Sequence, residues 1–437
     1  LDLATSAVGG AAVFSSPGAI TDSGSVSVTG TSSFTTTAAN AAITLDFPAV
    51  LTGAVTFAPN GTGNVTLVNN TATNLAASNI GGNLSVSSAG AITDSGTLAV
   101  TGTSSFTTTA ANAAITLDNA SSYTGAVSLA TNGTGNATLT GLAGGLNFGT
   151  LTVGGNLVTS SGAVTQAGTL NVTGTSSITA STNPITLTLA NDFTGAVTLS
   201  NSGANAVQIT DTNAISFSPA LSLGGAFTVN AGGLITTNGV TNTGIQQYNN
   251  ATSLNGTYTT NGSNFTVTGA TTLAGNTTVT VGAGNANFTT VDGGFSLQAN
   301  SSGTETFGVV GGTTPLASIS TDAPGTVVLN GNVTTTGAQT FLDAVTAGTI
   351  TLASTGGGTI SATNGANNFT GTLGLSTSGT ASIVDGVGGL TLGTVSAGTL
   401  NATSTGGAIT AGQTTVTGTT TVNAGASAIT MTNAANN

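Results

Sequence analysis

Eleven Asp and one Glu are, with three Tyr, the only ionisable side chains in this 437-residue sequence; Lys, Arg, His, Cys and Trp do not occur. Any acid–base or metal chemistry must therefore come from carboxylates. Glycoside-cleaving carboxylates work in pairs about 5–10 Å apart. The twelve acids here are scattered along the chain and reach one another only if the fold stacks distant segments. Asp22 and Asp94 hold equivalent places in two TDSG sequences, but a third copy has Gln166 there, which no catalytic or metal-binding role would tolerate. Asp followed by Ser-Gly is common turn chemistry, so both are read as turn residues. Asp46 and Asp118 close two ITLD segments, are replaced by Thr188 in the third, and read the same way. Calcium-binding nonapeptides need GGxGxDxUx. The nearest text, Val384–Leu392 (VDGVGGLTL), puts Asp385 outside that frame. The expectation is no catalytic, cofactor-binding or metal residue, no cofactor, and no enzyme; a polysaccharide-processing β-helix enzyme is a remote alternative.

The other polar groups are hydroxyls and amides. Thr35–Thr37, Thr107–Thr109, Thr414–Thr415 and Thr419–Thr421 bring to mind the flat Thr arrays of ice-binding solenoids. Such an array needs T-x-T at one place in every turn, whereas these runs recur once per long repeat, and β-propensity accounts for them. Ice binding is a second remote alternative. Asn60, Asn64, Asn132 and Asn136 stand in Asn-x-Thr sequences, which leaves glycosylation open.

What is missing excludes more. Without Lys or Arg, no surface can neutralise phosphates or anionic lipid headgroups, so nucleic acid is not a partner. Phosphate-binding loops of the Walker type lack their Lys. No disulfide, thiolate nucleophile or Cys-ligated zinc is available, nor the side chain that titrates near neutral pH. A net charge of −12 over the whole chain is too dilute, and the apolar residues too evenly spread, for a disordered chain. No apolar run is long enough to span a bilayer as a helix, and a membrane barrel would need aromatic girdles, so no membrane insertion is expected.

The elements that hold these residues form an array. Gly18–Asp46 recurs as Gly90–Asp118 with 26 of 29 positions identical, and a third copy opening at Gly162 keeps 12 of 16. Thr52–Leu67 likewise recurs as Thr124–Leu139. A fixed period, here about 72 residues, marks a repeat architecture. Between Asn-Gly, Thr-Gly and Gly-Gly turns lie short runs of Thr, Val and Ile with period-2 alternation, which read as strands. The fold class is therefore all-β, a single-stranded parallel β-solenoid (β-helix) forming an elongated rod without helices. The repeat divides into three coils of about 24 or four of about 18 residues, which together with a rise of about 4.8 Å per coil predicts a rod on the order of 100 Å. The triplets Ile20/Ile92/Val164, Val28/Val100/Val172 and Phe34/Phe106/Ile178 stay apolar in every copy and should point inward. One continuous solenoid is expected over 1–437: regular repeats over 1–243, degenerate ones over 244–365, and resumed repeats over 366–437. Both ends read as falling inside a repeat, and a targeting signal is not visible in the sequence. The expectation is a segment of a longer array or a subunit that stacks end to end with itself.

The phrases NDFTGAVTL (Asn191–Leu199), GGLNFGTLTVGG, GGNLSVSSAGAIT and TGAQTFLDAV resemble the repeats of giant bacterial surface proteins of the filamentous-hemagglutinin type. That resemblance implies a right-handed β-helix, export to the cell exterior, and a part in adhesion or biofilm. The chain lacks that family's secretion domain and all of its Lys and Arg. The expected function is an extracellular structural protein forming a surface fibre, stalk or sheath, with itself and cell-surface or extracellular polysaccharide as partners. The alternative is a spacer in a secreted adhesin whose binding domain lies elsewhere.

Overall fold

A computed structural model describes residues 1–432, in two compact units, Leu1–Ser218 and a second that opens at Pro219. Each is a parallel β-solenoid, and the two hold about 22 turns between them. No helix occurs among the described residues, and none is long and apolar enough to cross a membrane. The Asn436-Asn437 end lies outside the described residues. Short Thr-, Val- and Ile-rich runs form the strands because branched side chains pack well on a pleated surface and Gly-containing corners prevent continuation. In Ser32–Thr36, Ser32, Phe34 and Thr36 are buried while Ser33 and Thr35 face outward, the period-2 alternation the sequence predicts.

In the first unit three strands make one turn: Ile20–Asp22, Val26–Val28 and Ser32–Thr36 precede Ile43–Leu51, which lies on the first of them with Ile43 against Ile20. The ladder then continues from Ile43 to Val65, Leu84 and Ser104, so four turns carry the chain from Ile20 to Ser104. A turn thus takes about 21 residues, within the usual range for stacked repeats. The long repeat therefore holds neither three whole coils nor four. It holds three turns and roughly a third of another.

Successive copies are consequently rotated about the axis by one face. Ser104–Thr108, the copy of Ser32–Thr36, lies on the ladder that begins at Ile20, whereas Ser32–Thr36 pairs with Ala54–Ala58 on another. Ser176, the next copy, leaves the Ile20 ladder again for the one that climbs from Ile92 through Ile115, Ala137 and Leu157, which the pairing of Thr73–Leu75 with Ala54–Val55 joins to the ladder of Ser32–Thr36. The division expected from the period failed because a repeat must restore an equivalent environment, not the same face. When all three faces are built alike, a shift of one strand does that.

The interior is apolar. All nine residues of the three conserved triplets are buried, none more than 2% exposed. Phe14, Phe34 and Phe57 stack at ring-centroid distances of 5.0 and 5.8 Å on successive turns. In the second unit Tyr248, Phe265, Phe288 and Phe307 form a similar column at 5.5, 5.5 and 5.4 Å. The corners are tied by amides. Asn40 and Asn112 adopt φ of 62°, a left-handed conformation that Asn tolerates better than most residues. Their Oδ1 atoms accept from the backbone N–H of Thr62 and Thr134 one turn on, both at 2.9 Å.

Candidate functional site

The turn-residue reading of Asp22 and Asp94 has a direct structural basis. Asp22 Oδ1 accepts the N–H groups of Asp46 and Phe47 from the next turn at 3.0 and 3.2 Å, and Asp94 Oδ1 accepts that of Asp118 at 3.0 Å. Gln166 takes the same place in the third copy by accepting from Leu189 N–H, which is why an amide can stand there. Asp46 and Asp118 are exposed. Among the sequon residues, the Nδ2 atoms of Asn60 and Asn132 donate to the carbonyls of Thr37 and Thr109 at 2.6 Å. Asn64 and Asn136 accept from Asn83 N–H and Asn156 N–H at 2.8 Å. All four serve the corners.

The structure also brings together three acids that lie apart in the sequence. In the second unit the strands Ser296–Ser301, Ser318–Thr321 and Gln339–Phe341 lie on successive turns of one face. The corners that end them carry Ser301 to Gly303, Asp322 to Gly325, and Asp343, one above another. Glu305 is the first inward residue after the lowest corner. It pairs in register between Ala286 and Val327, a carboxylate where its ladder neighbours are apolar. One carboxylate oxygen from each of Glu305, Asp322 and Asp343 lies within 4.8 Å of the others.

This cluster is buried and poorly satisfied. Glu305 and Asp343 are 0% exposed, and none of their four carboxylate oxygens has a hydrogen-bond partner. The half-buried Asp322 accepts from Ser301 N–H at 2.8 Å. Burial, and then the charge of Asp343, push the Glu305 carboxyl up from 4.5 to about 9. Burial also raises Asp343, partly offset by the neighbouring Glu305 carboxyl and Thr321 hydroxyl. With both groups ionised neither has a donor for the other, and a proton on either one makes a single hydrogen bond between them.

Gly325 leaves space inside the corner. A Cβ there would lie 2.3 Å from the Ser301 carbonyl oxygen, 2.7 Å from Asp343 Oδ1 and 3.2 Å from the Gly303 carbonyl oxygen. The Ser301 and Gly303 carbonyls thus stand on the Asp343 side of the three-acid cluster, the Gly303 carbonyl also accepting the Thr326 N–H at 3.0 Å. Chemically the arrangement can share protons or hold a hard cation. It presents no nucleophile–base pair. The one sequence signal that pointed here was the presence of the chain's only Glu in a stretch where the repeat lapses.

No curated protein and no solved structure matches the chain. A family model described as repeats of unknown function matches residues 1–58, 62–130, 134–200 and 378–437. The second and third matches start one repeat apart, and hence about three and a third turns. The unmatched stretch between 200 and 378 contains the acidic corner. With more than half of its length matched, the chain belongs to the family of repeats of unknown function DUF5649.

Proposed function

We propose that this chain is an extracellular structural element, a solenoid that forms part of a surface fibre, stalk or sheath, and that its role is mechanical rather than catalytic. The observation that carries the reading is the rotation of each repeat by one face. It places copies of the same segment on more than one side of the first unit, whose surface is sparsely charged and rich in Thr, Ser, Asn and Gly. Such a surface suits uniform packing along and around an axis. In-register pairing of successive turns within the chain also favours pairing between end turns of different copies, because an exposed strand edge is a template for another strand. The absence of Lys and Arg removes trypsin sites and surface ion pairs, so neither salt nor a trypsin-like protease finds a target. The likeness of several phrases to filamentous-hemagglutinin repeats supports a bacterial surface location, with adhesion or biofilm as the setting.

The test is electron microscopy and sedimentation of the purified chain over a range of concentrations. Filaments that lengthen with concentration support the structural reading. A chain that stays monomeric throughout overturns self-assembly and favours the second reading, a spacer within a larger secreted adhesin.

A further inference from the structure

We propose that the corner built from Ser301, Gly303, Glu305, Asp322 and Asp343 binds one divalent cation of the calcium class. The inference starts from a shortage. Buried carboxylates are held in proteins by a cationic side chain, by donors or by a metal. This sequence has no Lys, Arg or His, so no side chain can supply the positive charge. Its amino terminus, Leu1, donates to the Ala19 carbonyl in the first unit. The nearby donors do not complete the shell: the Ser301 N–H is taken by Asp322 at 2.8 Å, the Thr321 hydroxyl stands beside Asp343, and the four oxygens of the fully buried Glu305 and Asp343 make no hydrogen bond of normal geometry.

Elsewhere in the same kind of corner the fold does supply a donor. Val345 N–H, two residues beyond Asp343, is capped by Asn367 Oδ1 at 2.8 Å, and the Asn367 amide donates to the carbonyls of Ala362 and Val384. The corner can therefore be finished with an amide, and at Glu305 and Asp343 it is not. A shared proton would make one hydrogen bond and leave other oxygens of the pair unpartnered. A cation satisfies them together.

The oxygen set identifies the ion. Three carboxylates and two backbone carbonyls are hard ligands, and the chain has no His or Cys to favour zinc or copper. Calcium accepts irregular shells of about six to eight oxygens from carboxylates and carbonyls, whereas magnesium demands a tight octahedron and keeps several waters. Ligands drawn from three turns of a solenoid suit the larger ion. Gly325 keeps the space open where a side chain would fill it. Bound there, the ion would clamp three consecutive turns in the region where the repeat has lapsed. This inference is independent of self-assembly, since binding is read on a dilute monomer.

The experiment is calorimetric titration of the full chain with calcium chloride and, separately, magnesium chloride, together with melting in calcium and in EGTA. The parent, Glu305→Gln, Asp343→Asn and the surface control Asp46→Asn are compared. The expected result is one calcium per chain, a melting temperature raised by calcium and lowered again by EGTA, and weaker binding of magnesium. Glu305→Gln and Asp343→Asn should each lower calcium affinity by at least about tenfold, while Asp46→Asn leaves it unchanged. Both amides keep the side-chain shape, and their melts in EGTA report whether they fold. Should either fail to fold, the parent's calcium-dependent melt decides alone. No heat and no shift with millimolar calcium would overturn the proposal. So would equal losses in Asp46→Asn and Glu305→Gln, which would mean diffuse surface binding only.

Discussion

Corners of the first unit and the acidic corner of the second are made by the same kind of turn, yet they treat buried amides and carboxylates differently. In the first unit Asn69, Asn191 and Asp211 each meet a backbone N–H from the turn before. Leu51 N–H donates to Asn69 Oδ1 and Leu170 N–H to Asn191 Oδ1, both at 2.9 Å, and Phe193 N–H donates to Asp211 Oδ2 at 2.7 Å. Even the ionisable member is provided for, because Asn213 N–H reaches the second oxygen of Asp211 at 2.7 Å. In the second unit Glu305 and Asp343 are as deeply buried and make no hydrogen bond of normal geometry. Depth of burial is therefore not what separates them. The difference is whether the neighbouring turn offers its backbone, and where it does not, something outside the chain must.

The largest expected effect comes from creating the second situation in the first unit. Phe106 is fully buried, and Phe106→Asp places a carboxylate among apolar side chains without a donor. It should cost on the order of 4 kcal/mol or more, read as a fall in denaturant midpoint. A variant that unfolds with the parent would show that this face is not the core.

Removing the buried acid should have the opposite sign. Glu305→Val extends the apolar run of its ladder, and with EGTA present at pH 8 it should stabilise the chain by about 1–4 kcal/mol. In calcium the same substitution should destabilise relative to the parent, and a single sign in both conditions would break the contrast. The pH dependence follows from the same group. In the cation-free chain the folded state keeps a proton on Glu305 up to about pH 9, whereas the unfolded chain releases it near 4.5. That stability is complete below the lower value and is lost as pH rises through the higher. The melting temperature in EGTA should therefore fall across this window, and Glu305→Gln should flatten the fall.

Smaller effects are expected where partners exist. Asn191→Leu strands the N–H of Leu170 and should cost about 1–3 kcal/mol. Asp211→Asn keeps an acceptor for only one of the Phe193 and Asn213 N–H groups and should cost about 1 kcal/mol, less than Asn191→Leu.

Much of this molecule was legible in its sequence, and the limits have physical causes. Strand content, inward triplets and the turn role of Asp22 and Asp94 were readable because side-chain alternation and turn chemistry are local. Turn length was not, since the period reports when an equivalent environment returns and the three faces of a turn are equivalent. The acidic corner was hidden for the same reason. Glu305, Asp322 and Asp343 look scattered until it is known that each step between them is close to one full turn of the solenoid. Absence of cations was visible from the outset, but its consequence emerges only after the fold buries carboxylates together.

Both regions depend on one geometric claim, that three strands and about 21 residues make a turn, so that each long repeat advances by one face. Because the chain has no Cys, paired spin labels can be introduced at chosen sites without background. Thr21, Thr44, Thr66, Ser85 and Ser105 form one outward ladder, so Thr21 and Ser105 lie four turns apart on a single face. Labels at Thr21→Cys and Ser105→Cys should give a narrow electron–electron distance of about 20 Å, four strand spacings of about 4.8 Å. Labels at Thr21→Cys and Thr93→Cys, one repeat apart but on different ladders, should give a distance set by the width of the solenoid as well as its rise. A Thr21–Thr93 distance equal to three or four strand spacings alone, with Thr21–Ser105 the longer and broader of the two, would contradict the account.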